Sequence, residues 1–353
     1  MRTQIAKFTH HARRRVARLL DPGAPKPPVV SAPANNFEAG VLDAIRAIDP
    51  PALCQTSRVT DALTSHLSAA DFARIEAVAT EEQRGVLQSA ASKDQGWVRL
   101  AIAASHRLDP ILAKARLSSA NPPDDVHSMS RSWLGCGGSM GHADMIIDSL
   151  LSCGEAPDAS TRVLDFGCSS GRVIRVLHAG FPDWTCHGCD PNTGAVAWAS
   201  ANLPGVNFFA SKSLPPLPLA DGSLDLAYAI SIWSHFNQAS GLRWLEEMHR
   251  VLRPGGRLLM TTHGWHSLKH YDQTKARPAS QLAEVARTMM TGQLWFAPEF
   301  GAAGDHGVVD SNWGTAFFDP RWCAVQLTSR WQVAGFFPGR ECGDQDVYVL
   351  VRR

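Results

Sequence analysis

VLDFGCSSGRVIRVL, residues 163–177, is the stretch that decides the fold. An apolar run comes first, two glycines follow four positions apart, and a segment with helical periodicity begins at Gly171. A strand, a tight turn and a helix in this order predict one unit of a parallel α/β sheet. Residues 167–171 also fit the G-x-S-x-G elbow of serine hydrolases, so the local pattern leaves two chemistries open.

The hydrolase interpretation needs an acid and then a histidine on loops after later strands. Asp225 and His263 occur in that order in the sequence. However, Asp225 stands at the start of a predicted strand, which is the end of the sheet opposite to the elbow. This mismatch disfavours a serine nucleophile.

A cofactor loop agrees better with the surrounding residues. Asp165 ends the first predicted strand, and Gly167 allows the chain to turn sharply. Asp190 ends the next strand, 19 residues after Gly171, where an acid can accept hydrogen bonds from ribose hydroxyls. Asp165 would repel a pyrophosphate but attract a cofactor that carries an amine and a sulfonium. The loop therefore favours a cofactor of the second kind.

From residue 161 onward, short apolar runs alternate with helical periodicity. Helices are predicted to begin near Gly171, Thr193 and Gly241, and this alternation predicts a parallel sheet covered on both faces. The last two runs are separated only by PGRECGDQ, which is too short for a parallel crossover, so we expect an antiparallel pair. The predicted strands are residues 162–166, 185–189, 206–210, 224–230, 257–263, 331–337 and 346–351.

The chain before residue 131 differs in composition and predicted secondary structure. Residues 1–20 contain six basic residues and no acid, with apolar residues at helical spacing. They predict a basic amphipathic helix that contacts an anionic membrane surface or a protein, or else a packed terminal helix. A Pro-rich linker completes residues 1–35, and residues 36–130 predict a helical N-terminal region.

Composition excludes several classes of protein. The 353 residues are 44% hydrophobic and 19% charged with a net charge of +1, so no global field predicts a nucleic-acid partner. No apolar run is long enough to span a bilayer, and none has the character of a signal peptide. Eight scattered cysteines are typical of reduced thiols, and we expect a cytoplasmic protein.

Taken together, these features resemble the class I S-adenosylmethionine-dependent methyltransferases. The motifs match in order over residues 131–353: VLDFGCSSGR, the acid in GCDPN, LPPLPLADGSLDLAYAISIWSHF, WLEEMHRVLRPGGRLLMTTHG and the terminal antiparallel pair. The resemblance implies an α/β, Rossmann-like, seven-stranded sheet of order 3-2-1-4-5-7-6 with strand 7 antiparallel. S-adenosylmethionine would lie over the carboxyl ends of strands 1 and 4.

The resemblance also implies roles for individual residues around S-adenosylmethionine. The methionine moiety would lie beside the glycine loop and Ser231, the ribose beside Asp190, and the adenine beside the residues that follow Asp190. Ser169 stands where the family usually has glycine, and Ser211 where it commonly has Asp or Asn. The full predicted set is Asp165, Gly167, Cys168, Ser169, Gly171, Asp190, Pro191, Asn192, Ser211 and Ser231.

Two histidines are candidates for a general base in methyl transfer. His235 follows the fourth predicted strand and His263 ends the fifth, although either could instead serve packing or helix capping. Residues 264–320 are too long for a plain connection and predict a cap that binds the acceptor. Its predicted acceptor contacts, with one residue outside the cap, are Trp233, Trp295, Asp310 and Trp313.

The sequence predicts an S-adenosylmethionine-dependent methyltransferase that acts on an oxygen of a small molecule or saccharide. His263, His266 and His270 lack the carboxylates or thiols of a tight metal site, so no metal is predicted. Methylation of nitrogen is the alternative within the enzyme class. A protein that binds S-adenosylmethionine without turnover is the alternative from another class.

Overall fold

The computed structural model of the chain describes residues 36–123, 126, 132–154, 156, 158–300 and 310–353. The predicted basic helix in residues 1–20 and the linker up to residue 35 lie outside this range. The strands are β1 (Arg162–Phe166), β2 (Thr185–Asp190), β3 (Val206–Ala210), β4 (Leu224–Ala229), β5 (Leu252–Thr262), β6 (Trp295–Ala297), β7 (Thr315–Phe317), β8 (Trp331–Glu341) and β9 (Gln345–Arg352).

Helices precede the sheet and fill its connections. In the N-terminal region they are α1 (Asn36–Arg46), α2 (Arg58–Thr64), α3 (Ala69–Val78), α4 (Glu81–Ser89), α5 (Gln95–Ser105), α6 (Asp109–Lys114) and α7 (Met140–Ser152). Later come α8 (Ile174–Gly180), α9 (Thr193–Asn202), α10 (Gln238–Val251), α11 (Trp265–Thr274), α12 (Ala279–Met290) and α13 (Pro320–Leu327). In the part of the chain that the structure describes, no helix has the length and apolar character needed to cross a bilayer.

The central sheet has seven strands in the order β3-β2-β1-β4-β5-β9-β8. Strands β1 to β5 pair in parallel, and β9 runs antiparallel to both β5 and β8. Strands β6 and β7 pair only with each other as a separate two-stranded sheet. When these two are left out of the count, the predicted order 3-2-1-4-5-7-6 with an antiparallel strand 7 is confirmed.

Both faces of the sheet are covered by helices. Val163 of β1 belongs to a buried apolar cluster that includes residues of α2, α5, α7 and α8, whereas its neighbour Leu164 belongs to a second cluster that includes residues of α10 and α13. Successive side chains of a strand point to opposite faces, so a continuous apolar run such as that of β1 requires cover on both sides. The apolar run of β1 in the sequence is therefore explained by the burial of this strand on both faces.

Helix α7 joins the N-terminal helices to the sheet through two buried carboxylates one turn apart. Asp144 accepts hydrogen bonds from the backbone N–H groups of Val59 and Thr60, at 2.7 and 3.1 Å, where α2 begins. Asp148 pairs with Arg340 of β8 at 3.1 Å, and the two side chains are 4% and 6% exposed. Buried charges are costly without partners, so these bonds fix the helical region against the sheet. A domain boundary near residue 130 stays a prediction.

Helices α11 and α12 and the β6–β7 hairpin make up the insertion between β5 and α13. The backbone N–H of Gly314 donates to the carbonyl oxygen of His235 at 2.8 Å, and that of Phe318 donates to the carbonyl oxygen of His263, also at 2.8 Å. These bonds hold the hairpin across the carboxyl ends of β4 and β5. The insertion therefore covers the edge of the sheet where the sequence places the active site.

Candidate active site

The glycine loop after β1 has a backbone that few side chains tolerate. Gly167, Ser169 and Gly171 have φ values of +84°, +48° and +74°. A Cβ atom at Gly167 would lie 2.2 Å from Cδ1 of Ile232, so only glycine fits there. Ser169 takes a left-handed conformation that non-glycine residues adopt at some cost, so glycine would be less strained at this position.

Asp190 ties the glycine loop to the start of α9. Its carboxylate accepts hydrogen bonds from the backbone N–H of Ser169 at 2.7 Å and of Asn192 at 2.8 Å. Its backbone carbonyl accepts from the N–H of Ser211 at 3.0 Å. The structure thus brings the predicted ribose, loop and adenine residues around Asp190 at the end of β2, with Pro191 in the connection.

Asp165 carries a buried carboxylate at the end of β1. It is 4% exposed, and its Oδ2 atom has no hydrogen-bond partner among the described residues. Burial raises the pKa of this carboxyl to about 7, and the charge of Asp190 adds to the rise, against the effect of the Tyr228 hydroxyl. An acid in this state gains from a cationic partner. The ammonium and sulfonium groups of S-adenosylmethionine meet that need, so Asp165 and the glycine loop fit this cofactor.

Ser231, just past β4, lies in a closed ring of three hydrogen bonds. Its backbone N–H donates to Oγ1 of Thr261 at 2.7 Å, Thr261 donates to Oε1 of Gln345 at 2.6 Å, and Nε2 of Gln345 donates to Oγ of Ser231 at 2.7 Å. The ring holds Ser231 at a φ of +60°. Sequence analysis assigned no role to Thr261, although it lies in the motif WLEEMHRVLRPGGRLLMTTHG, or to Gln345, which ends the connection before the last strand.

Strand β7 and the residue before it bring the two candidate bases together. Nδ1 of His235 lies 2.7 Å from the carbonyl oxygen of Gly314, and Nδ1 of His263 lies 3.1 Å from that of Ala316. A carbonyl only accepts, so each Nδ1 carries a proton, and Nε2 is the atom that holds the lone pair when the ring is neutral. The ring centroids are 6.2 Å apart. For His263, Nε2 lies 3.4 Å from the hydroxyl of Tyr271.

Of the predicted acceptor contacts, Trp313 lies beside a candidate base. Its ring stacks on that of His235, with centroids 4.8 Å apart and planes at 27°. Asp310 accepts from the backbone N–H and the side-chain amide of Asn312, at 2.8 and 2.9 Å, and so shapes the turn before Trp313. These two residues form one local unit beside His235.

The other two predicted tryptophans lie elsewhere. Trp233 is 1% exposed, packs against Phe166 in the core, and donates its indole N–H to the carbonyl oxygen of Gly241 at 3.2 Å. Trp295 packs against Phe317 and donates to Oε1 of Glu284 at 3.1 Å. The structure therefore places both in packing environments and does not bring them to the His235 ring.

The serine-hydrolase alternative finds no geometric support. Asp225, its acid, binds Arg162 at the first residue of β1, with Nε to Oδ2 at 2.8 Å, and also Arg253. The strands β1 and β4 are parallel, so this carboxylate lies at the amino end of the sheet, away from the glycine loop. Ser169 and Asp225 therefore lie at opposite ends of the parallel strands, too far apart to share a catalytic site.

A family model described as "Methyltransferase domain" matches residues 163–256, which run from β1 into β5. Two curated relatives are malonyl-[acyl-carrier protein] O-methyltransferases. The one from Hahella chejuensis is 28% identical over 138 residues, which cover 35% of this chain and 48% of the relative. The one from Methylococcus capsulatus is 33% identical over 105 residues, which cover 29% of this chain and 38% of the relative. The chain thus spans less than half the length of these relatives.

A solved S-adenosylmethionine-dependent methyltransferase from Methanosarcina mazei is 18% identical, with a TM-score of 0.41, and the match covers 56% of this chain and 94% of that one. The family match contains the glycine loop and Asp190. The strand order and the buried acid at the end of β1 agree with the motif resemblance. Residues 163–256 of the chain therefore carry a methyltransferase domain, in agreement with the resemblance of its motifs to the class I S-adenosylmethionine-dependent methyltransferases.

Proposed function

We propose that the protein transfers the methyl group of S-adenosylmethionine to an oxygen of a small molecule or saccharide. The observation that carries this proposal is the pair of imidazoles that β7 holds at the carboxyl ends of β4 and β5. A hydroxyl acceptor benefits from a base whose pKa lies near neutrality, and imidazole meets that condition.

The residues of the chain divide into those that hold the cofactor and those that face the acceptor. When bound, S-adenosylmethionine supplies an electrophilic methyl carbon on a positively charged sulfur. Asp165 and the glycine loop would hold its methionine part, Asp190 its ribose, and Asn192 with Ser211 its adenine. Holding the acceptor in line with the methyl carbon then accounts for much of the rate.

His235 is the proposed general base. Its Nδ1–H points to the carbonyl of Gly314, so Nε2 is the atom that would take the proton of the acceptor hydroxyl. The same carbonyl stabilises the imidazolium that results, because its dipole faces the charged ring. His263 is 3% exposed and contacts the Tyr271 hydroxyl, so we assign it to a supporting role beside His235.

Three further observations support parts of the proposal. The curated relatives from Hahella chejuensis and Methylococcus capsulatus are named as O-methyltransferases, which agrees with an oxygen acceptor. All eight cysteines, each within the described residues, are free thiols, which agrees with a reducing, cytoplasmic location. The Trp313 ring beside His235 offers a stacking surface for a ring-shaped or sugar acceptor.

The test is methyl transfer from labelled S-adenosylmethionine by the wild type, His235→Ala and a control, His249→Ala. His249 contacts Trp331 at the far end of the sheet, with ring centroids 5.4 Å apart. We expect His235→Ala to lower kcat about 100-fold or more while calorimetry shows unchanged affinity for S-adenosylmethionine.

Each alternative predicts a different result. Little change in kcat for His235→Ala would contradict the base assignment and favour nitrogen methylation. Tight binding of S-adenosylmethionine without transfer to any compound of a metabolite extract would favour the non-catalytic binding protein. Loss of activity in His249→Ala as well would show that the assay reports on folding.

A further inference from the structure

Three consecutive residues at the start of β7 each contact a side chain of another segment: Gly314, Thr315 and Ala316. The carbonyls of Gly314 and Ala316 contact the imidazoles described above. Between them, the Oγ1 of Thr315 accepts a hydrogen bond from Nη2 of Arg277 at 3.2 Å. The guanidinium therefore contacts the residue that lies between the two that contact the imidazoles.

Arg277 makes a two-pronged pair with a carboxylate of the same cap. Its Nη1 and Nη2 atoms each lie 2.5 Å from an oxygen of Glu299, and Thr315 donates to the same carboxylate at 2.8 Å. The Arg277 side chain is 16% exposed and that of Glu299 is 25% exposed. The guanidinium is half-buried, and the carboxylate is the more accessible of the two.

Tyr271 connects this guanidinium with the candidate bases. The Cζ atom of Arg277 lies 5.6 Å from the centroid of the Tyr271 ring, and the hydroxyl of that ring lies 3.4 Å from Nε2 of His263. The ring and Glu299 together fix the plane of the guanidinium. A planar fork held in this way matches a carboxylate in shape as well as in charge.

We propose that Arg277 anchors a carboxylate of the methyl acceptor, which takes the place of Glu299 on the guanidinium. This inference rests on the proposed function, because it assigns a chemical class to the acceptor of the same site. The exchange swaps one carboxylate for another, so the cation stays paired throughout. A neutral acceptor has no negative charge that could replace the Glu299 carboxylate on the guanidinium. The Arg277–Glu299 pair therefore disfavours the binding of neutral acceptors.

The experiment uses the full-length protein saturated with S-adenosylhomocysteine. Small hydroxy- and dicarboxylic acids, each matched with its neutral methyl ester, are titrated by calorimetry into the wild type, Arg277→Gln, Glu299→Gln and Arg287→Gln. Arg287 is an exposed arginine on α12 and serves as the control. Arg277→Lys, which keeps the charge without the fork, is the second variant should Arg277→Gln fail to fold.

We expect acids to bind the wild type in preference to their esters. Arg277→Gln should weaken the binding of acids about tenfold or more, Arg277→Lys should weaken it less, and Arg287→Gln should not change it. Glu299→Gln should strengthen it, since the competing carboxylate is gone. Acids that bind no better than their esters, or equally well to Arg277→Gln, would overturn the proposal.

These outcomes are separable from those of the proposed function. Affinity for S-adenosylmethionine and the dependence of methyl transfer on His235 do not involve Arg277. If S-adenosylmethionine binds and methyl transfer depends on His235 while acids fail to bind, the proposed role of Arg277 is wrong and the methyltransferase proposal stands. If S-adenosylmethionine itself fails to bind, the proposed function fails with it.

Discussion

Replacing Asp165 by Asn should make the ligand-free protein more stable at alkaline pH while it weakens cofactor binding. The carboxyl is buried, and burial raises its pKa from 3.8 to about 7, with a further contribution from Asp190. A folded-state pKa above the unfolded value means that the folded protein binds the extra proton. Stability is therefore lost as the pH rises from the unfolded pKa to the folded one. Asn has the shape of the acid but no charge, so it escapes this loss.

The shift sets the size of the effect. At about 1.4 kcal/mol per pH unit, a rise from 3.8 to about 7 corresponds to a total of roughly 4 kcal/mol. Most of it, roughly 3 kcal/mol, falls between about pH 5 and pH 8. The free energy of unfolding of Asp165→Asn relative to the wild type should increase by that amount across this interval.

The assay is urea denaturation of both proteins at the two pH values, with Asp225→Asn as a matched control. Asp225 also lies in a strand of the sheet, but its bonds to Arg162 and Arg253 outweigh its burial and hold its pKa below the usual value. Stability from such a group is lost only as the pH falls below the ordinary range of a carboxyl. Asp225→Asn should therefore be destabilised equally at about pH 5 and pH 8.

One result would refute the reasoning. If Asp165→Asn gains no stability relative to the wild type between the two pH values, then burial does not raise the pKa of Asp165. Calorimetry with S-adenosylmethionine completes the test. The cofactor should bind the wild type and bind Asp165→Asn markedly more weakly, because the ammonium group loses its charged partner.

The other predictions concern the glycine loop and the attachment of the N-terminal helices. Gly167→Ala should abolish S-adenosylmethionine binding and cost about 1–3 kcal/mol of stability, because the new Cβ would meet Ile232 at 2.2 Å in a left-handed conformation. Calorimetry checks this, and unchanged affinity would contradict it. Arg340→Ala should cost about 3 kcal/mol or more, because Asp148 would remain buried without its cation. Urea denaturation measures the loss, and an unchanged midpoint would show that the ion pair is dispensable.

The positions of the strands were predictable from their apolar runs, whereas their order came from the motif resemblance. The runs at 162–166 and 206–210 match β1 and β3 in both bounds. Strand β5 begins at Leu252, five residues before the predicted start, because Leu252 pairs with Leu224 across an irregular register. A segment such as LRPGG looks like a turn in sequence, and only a neighbouring strand makes it extended.

The β6–β7 hairpin was missed for the opposite reason. Each of its strands has three residues, too few to show any periodicity. It forms because its partners lie in place: the carbonyls of His235 and His263 accept bonds from the N–H groups of Gly314 and Phe318. The aromatic residues of the cap were visible in the sequence, but their contacts were not, and Trp233 and Trp295 lie in packing positions.

By itself, the sequence determined the α/β class, the glycine loop and the two acids at the ends of β1 and β2, because local spacing and strand periodicity encode them. Only the tertiary structure decided which groups meet at the carboxyl edge. His263 contacts a carbonyl 53 residues away, and Ser231 a side chain 114 residues away. Contacts at such separations depend on the folded sheet that brings distant segments together, and no local pattern records them.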